Sequence, residues 1–351
     1  MRPIIILGTG RCGSTMLSKL LNFHPEVLSL SEFFCFVSDI GGNFDNTLLD
    51  RQISASEFWQ LIAGIPPRMD TMMKHQITMQ EVIYPYQQNT HLFSAKTGVP
   101  AILQATLPHI SHNFDALYLE LEKEVNSLPT QSLRQMYDKL FQWLCTRLNK
   151  KLWVERSGGS LVSCEYTLNL YPDSKYVHIM RDGRNTSISM AKHPGFRMFL
   201  LSETMKQYLG VDPFYSTDRS NLHQLPDSLH QFLPENFNRE AFLNFQHPYE
   251  VFGEIWSDLL TSSCTLLANL PQENILNLDY DDFVKRPNNN LARLAEFIGF
   301  NAENHWIRDC LAMIKPSNTS WKDLPKEDQL ALNSVCRRGL QQMENIFGNR
   351  Y

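Results

Sequence analysis

The stretch PIIILGTGRCGST, residues 3–15, constrains this chain more than any other. Residues 3–7 form a short β-branched apolar run, the pattern of a strand buried on both faces. Residues 14–23 (STMLSKLLNF) then carry a helical alternation. Between them Gly8 and Gly13 take the spacing of the phosphate-binding loop G-x-x-x-x-G-K-[ST], which requires strand, loop and helix in that order. The loop's lysine is missing. Ser14 stands in its place, and Arg11 is the nearby fixed cation. Consecutive backbone N–H groups at the positive end of a helix suit a phosphate or sulfate oxygen. The same glycines would also serve a plain strand-to-helix turn.

The rest of the chain extends this start into an α/β pattern. His24-Pro25 ends the first helix, and EVLSLSE (26–32) returns as the second strand of a βαβ unit with Glu32 at its end. Residues 36–150 read as a helical insertion, rich in Phe and Met and broken by Pro66-Pro67. It closes on an amphipathic helix over 132–148, where Leu133, Met136, Tyr137, Leu140, Phe141 and Leu144 fall at helical spacing. KLWVE (151–155) and KYVHIM (175–180) predict two more strands, with a helix near 160–171 between them. Residues 195–250 have little clear period and read as a second insertion or lid. A helix over 250–268, a strand at NILNL, and helices near 288–298, 304–313 and 327–346 complete the chain. The expectation is a single domain over 1–351, with a doubly wound parallel sheet, P-loop-like, flanked by helices and carrying helical insertions.

Composition bounds the partners. With 351 residues, 43% hydrophobic and 20% charged, the chain suits one large α/β domain with insertions. A net charge of −5 gives no long-range attraction for nucleic acid or an anionic membrane, so an anion must be captured locally. Seven cysteines without a C-x-x-C pair point to a reduced setting. Ile4–Leu7 is too short for a signal peptide's apolar region, and no stretch approaches a membrane span. A soluble, cytoplasmic protein is expected.

A second anion motif lies in YVHIMRDGRNTSISM (176–190). A strand runs into Arg181, a glycine turn and a helix bearing Ser189. An arginine at a strand's carboxyl end can grip a phosphate with two donors, and Ser189 adds a hydroxyl. Alternatively, Arg181 and Arg184 pair with Asp182 or other acids.

Together these segments resemble the sulfotransferases that use 3′-phosphoadenosine 5′-phosphosulfate (PAPS) as donor, closest in motif pattern to the tyrosylprotein, carbohydrate and bacterial members. GTGRCGSTML resembles that family's 5′-phosphosulfate loop, P-R-S-G-T-T/S-x-L. RDGRNTSISM resembles its 3′-phosphate motif, with Arg181 and Ser189 eight residues apart. ILNLDYDDFVKRPNNNLARLAEFIGF (275–300) resembles its carboxyl-terminal stretch. The matches cover chiefly the nucleotide core, leaving 36–150 and 195–250 without counterpart.

The resemblance implies sulfuryl transfer without a metal, with the bisphosphate PAP as product. Arg11, Cys12, Gly13, Ser14 and Thr15 would hold the phosphosulfate, and Arg181 and Ser189 the 3′-phosphate. Trp321 and Lys322, in KPSNTSWKDL (315–324), would either close over the nucleotide or pack on the core and sit in solvent. A phosphosulfate has no γ-phosphate requiring a loop lysine and magnesium, so backbone donors and Arg11 suffice. Relatives place a catalytic glutamate where Glu32 stands, and a base facing the loop across the acceptor is what in-line transfer needs. The alternative for Glu32 is a helix-start carboxylate. Arg156 replaces the relatives' lysine, either as a cation for the transferring group or as a partner of Glu155; an arginine does not donate a proton at ordinary pH. Cys12 keeps a small side chain where the family has serine. His109 and His112 lack further ligands for a metal.

The acceptor is expected to be a small molecule with a hydroxyl or amine, as in the soluble bacterial enzymes of secondary metabolism that this chain resembles. The rival readings are an ATP-dependent small-molecule kinase or NTPase, against which the missing lysine counts, and a non-catalytic nucleotide-binding protein, to which the change at Arg156 points.

Overall fold

The structure is a computed structural model and describes residues 2–88, 90–316 and 320–348. In chain order its strands are β1 (Ile4–Leu7), β2 (Val27–Ser31), β3 (Gln52–Ile53), β4 (Gln131–Ser132), β5 (Leu152–Arg156), β6 (Lys175–Met180) and β7 (Ile275–Asp279). Five of them make a wholly parallel sheet in the order β2-β5-β1-β6-β7, and β3 and β4 pair antiparallel within the first insertion.

The central strands are short and apolar because both faces of the sheet are covered. Alternate residues of β1 enter different cores. Ile4 and Ile6 pack with Leu17, Leu20 and Leu21 of the helix Ser14–Asn22, and with Leu291, Leu294 and Trp306 from the carboxyl-terminal helices. Ile5 and Leu7 face the other way, into a larger cluster that runs through Phe33, Met72, Tyr137, Phe141, Met198 and Trp256. Segments 36–150 and 195–250 therefore share one apolar core with the sheet.

Two features depart from the sequence expectation. β1 and β2 follow one another in the chain but are not neighbours, because β5 lies between them. The helix Ser14–Asn22 spans the gap, its leucines covering Val27 of β2 and Val154 of β5 together. The segment read as a second insertion also opens with a 16-residue helix, Pro194–Leu209. Its period is hidden because both sides are apolar: Met198, Leu201, Met205 and Leu209 enter the core, while Phe196, Phe199 and Leu200 line a cavity. Among the described residues no helix is long and apolar enough to cross a membrane.

The helices Gly183–Ala191, Tyr249–Leu267 and Lys326–Phe347 cross at the fully buried Trp256. The close approach depends on glycine: a Cβ on Gly339 would stand 2.3 Å from the indole ring, and one on Gly183 2.2 Å. Gly339→Ala is expected to lower the unfolding free energy by about 1–3 kcal/mol, through displacement of Trp256. Urea unfolding measures this; an unchanged midpoint would show that the crossing yields freely.

Candidate active site

At the carboxyl edge of the sheet, the loop after β1 turns left-handed at Gly10 (φ 79°), Arg11 (φ 54°) and Gly13 (φ 97°). A non-glycine residue at positive φ is uncommon, and Arg11 is held there by its surroundings. Gly13 precedes the helix Ser14–Asn22 without a side-chain cap, so the first-turn N–H groups face the loop mouth unblocked by a capping oxygen. A side chain at Gly13 would strike the ring of Tyr280, at 2.3 Å. The Cys12 thiol turns away into the core beside Ile4, Ile6 and Ile179, so Cys12 presents only backbone to the loop mouth.

The two anion motifs of the sequence meet here. The Arg11 Nε donates to Ser189 Oγ at 3.0 Å. Arg181 donates to the Arg11 carbonyl at 3.1 Å and lies over the Tyr280 ring, 4.8 Å from its centroid. It makes no ion pair among the described residues, and its buried Nε has no partner there. Arg184 instead grips Asp182 with two nitrogens, at 2.9 and 2.6 Å, and stacks on Trp321 at 4.2 Å. Pairing with Asp182 thus describes Arg184 and not Arg181. Trp321 also donates its backbone N–H to Asn185, Lys322 is exposed, and neither lines the two cavities described below. Residues 317–319 of that expected closing segment lie outside the described residues.

Glu32 and Arg156 end the paired strands β2 and β5, where Ser31 is in register with Arg156. Arg156 forms a buried ion pair with Glu32 and donates to Ser31 Oγ at 2.8 Å. The Gly158 N–H occupies the second Glu32 oxygen at 2.7 Å. Glu32 is itself left-handed, φ 57°, at the start of the helix Phe33–Val37. The partner of Arg156 is therefore Glu32 across the strands and not the adjacent Glu155, which accepts from Ser157 and from the Phe34 N–H.

Two cavities adjoin at Arg11, Ser14, Thr15 and Glu81. The polar one is lined by Arg11, Lys19, Arg156, Arg181, Ser189 and Tyr280, with Glu81 as its carboxylate. His109 also faces it, its pKa held down to about 4 by burial and by Arg156 and Lys19; His112 is exposed. The second cavity is apolar, and its polar lining includes Glu32. Among the described residues no group of three or more His, Cys, Asp or Glu is placed to hold a metal ion.

Glu81 and His193 are site residues that sequence reasoning missed. Glu81 receives Arg11 Nη1 at 3.0 Å and pairs with His193 Nε2 at 2.9 Å. Burial would raise its pKa, but the bond from His193 and the charges of His193 and Arg11 outweigh it and bring the carboxyl to about 2. Neither residue lies in a recognisable motif. Glu81 comes from the segment read as a helical insertion and His193 from the stretch just before the one read as a second insertion, so only folding reveals their position.

The sequence model of the sulfotransferase family matches residues 3–239, and that of the sulfotransferase domain matches residues 167–340. The chain belongs to the sulfotransferase family of enzymes. Among solved structures it is similar to the sulfotransferase domain of the curacin biosynthetic pathway, at 14% identity over 98% of each chain with TM-score 0.49. It is also similar to the sulfotransferase domain of the Synechococcus PCC 7002 olefin synthase, at 14% identity over 95% of this chain and 93% of that one, TM-score 0.45. A sulfotransferase from Alicyclobacillus acidocaldarius matches at 12% identity over 100% and 98%, TM-score 0.39. No curated protein matches in sequence.

Burial beside this site raises the Glu155 carboxyl to about 8, against which the bonds from Ser157 and Phe34 count only partly. Its folded pKa lies above its unfolded one, so the stability it contributes is full below about pH 4.5 and is lost as pH rises through about 8. Glu155→Gln is expected to remove that loss, leaving the variant more stable than wild type at pH 9 by on the order of a few kcal/mol and similar to it at pH 4.5. Parallel urea unfolding at the two pH values would show equal wild-type and variant profiles if Glu155 titrates normally.

Proposed function

We propose that this enzyme transfers a sulfuryl group from PAPS to a hydroxyl or amine of a small molecule. The observation that carries the proposal is the junction of a cationic cavity and an apolar cavity at the lysine-less loop, with Glu32 on the apolar side. The cationic cavity fits an extended anion. It gathers Arg11, Lys19, Arg156 and Arg181 against the carboxylate of Glu81, and the buried Arg181 Nε lacks a partner among the described residues. The loop backbone from Cys12 to Thr15, with Arg11 and the Ser14 and Thr15 hydroxyls, would hold the phosphosulfate. Arg181 and Ser189 would hold the 3′-phosphate. Trp321 and Lys322 line neither cavity.

Bound there, PAPS supplies an activated sulfuryl group whose leaving group is the 5′-phosphate of PAP. Glu32 takes the acceptor's proton as the acceptor atom attacks. Each Glu32 carboxylate oxygen, bonded once to Arg156 or to the Gly158 N–H, retains a second lone pair for the proton. Arg156, shared between Glu32, Ser31 and the cationic cavity, adds a fixed positive charge where negative charge develops on the leaving side. The apolar walls exclude water that would compete with the acceptor.

Glu32→Gln is expected to cut turnover by roughly 10²–10⁴ while leaving PAP affinity unchanged; unchanged turnover would remove Glu32 from the mechanism. Calorimetric titration with PAP is expected to show tight binding that Arg181→Ala weakens by roughly 10–100-fold, the loss of charge-assisted hydrogen bonds to a phosphate. Absence of PAP binding, or a preference for ATP with magnesium, would overturn the donor assignment.

A further inference from the structure

The apolar cavity is specific in what it can accept. Phe34, Phe36, Phe44, Phe196, Phe199 and Leu259 stand along its walls. Its charged groups cluster near the junction and are already matched: Glu32 by Arg156, and Glu81 by Arg11 and His193. Among the described residues that line it, the one Lys or Arg is Arg11, and that side chain is bonded to Glu81 and Ser189. The two cavities thus differ in sign as well as polarity: one has a surplus of arginine and lysine, the other does not.

The Cys35 thiol reports the field inside. It lines the apolar cavity, and its ionisation is opposed first by burial and then by the charges of Glu32 and Glu81. An anionic acceptor would meet the same opposition, because moving a carboxylate or phosphate into an apolar space without a free cation is costly. A sugar fares little better, since its many hydroxyls would leave water for walls that offer few partners. Proton stoichiometry separates alcohols from amines. One Glu32 carboxylate can take the single proton an alcohol loses on forming its O–S bond. An alkylammonium must shed one proton before it can attack and another during transfer.

We propose that the acceptor is an uncharged alcohol with an apolar body, seated in this cavity with its hydroxyl at Glu32. This rests on the sulfuryl-transfer reading above and narrows it. In the balanced step the alcohol oxygen bonds to sulfur, the bond from sulfur to the 5′-phosphate oxygen breaks, and the hydroxyl proton passes to Glu32. The apolar walls then hold the body by area, so affinity should climb with chain length until the space is filled.

The test is calorimetric binding of 1-hexanol, 1-octanol and 1-decanol, with and without PAP, alongside decanoate, decylamine and glucose, followed by transfer of radiolabelled sulfate from PAPS to each. Affinity is expected to rise about 4-fold per added methylene, and the alkanols are expected to be the compounds sulfated. A second arm is Leu200→Lys, which places a cation on the cavity wall: decanoate should then gain affinity relative to 1-decanol, with PAP binding retained as evidence of folding. Affinity independent of chain length, or preferred binding and sulfation of glucose, decanoate or decylamine, would overturn the acceptor class while leaving sulfuryl transfer standing. Failure of PAP to bind would instead strike the donor reading, and the alkanol titrations without nucleotide would still decide what the cavity holds.

Discussion

The buried ion pair between Glu32 and Arg156 joins the two halves of this site. Each residue sits at the carboxyl end of its strand, and parallel pairing of β2 with β5 places them side by side. Arg156 lines the cationic cavity and Glu32 the apolar one, so the pair stands in the wall between them. A buried pair of this kind is weak evidence for stability, because desolvation offsets its attraction, yet removing one partner leaves an uncompensated charge. Its value here is positional: it fixes the Glu32 carboxylate at the edge of an apolar space.

The loop after β1 depends on that arrangement and on backbone strain. Arg11 and Glu32 both adopt the left-handed conformation, at the ends of two strands separated by β5. Such conformations cost of order 1–3 kcal/mol each and persist where surroundings over-determine them. For Arg11 those surroundings are Ser189, Glu81 and the Arg181 bond to its carbonyl. For Glu32 they are Arg156, the Gly158 N–H and the bond from its own N–H to the Arg156 carbonyl. Charge in place of a lysine is thus distributed over several arginines, each held by a different strand or helix.

Much of this was legible in the residues. The β-branched run at 3–7 and the short apolar segments KLWVE (151–155) and KYVHIM (175–180) pointed to strands that the sheet buries on both faces, and the stripe from Leu133 to Leu144 to a helix because one side meets the core. Gly13 and Arg181 stood out through motif spacing. The Pro194–Leu209 helix was hidden because a helix apolar on two sides shows little period. Of the two readings of Arg156, the pairing with Glu155 gives way to a pairing with Glu32, because adjacency in the chain says nothing about which face a strand residue presents. Successive side chains of β5 point to opposite sides, so Glu155 turns from the partner that Arg156 meets across the sheet.

By itself the sequence determined the local chemistry: a strand and helix joined by a glycine loop, an arginine after β6, and a carboxylate after β2. Local propensity and spacing are properties of a few consecutive residues, which is why they survive in the linear text. Only the tertiary structure decided that β5 would lie between β1 and β2, that Glu81 and His193, far apart in the chain, would pair beside Arg11, and that a cationic and an apolar cavity would share a wall. Those outcomes come from packing both faces of one sheet, where helices buried for their apolar sides bring distant polar groups together at its edge.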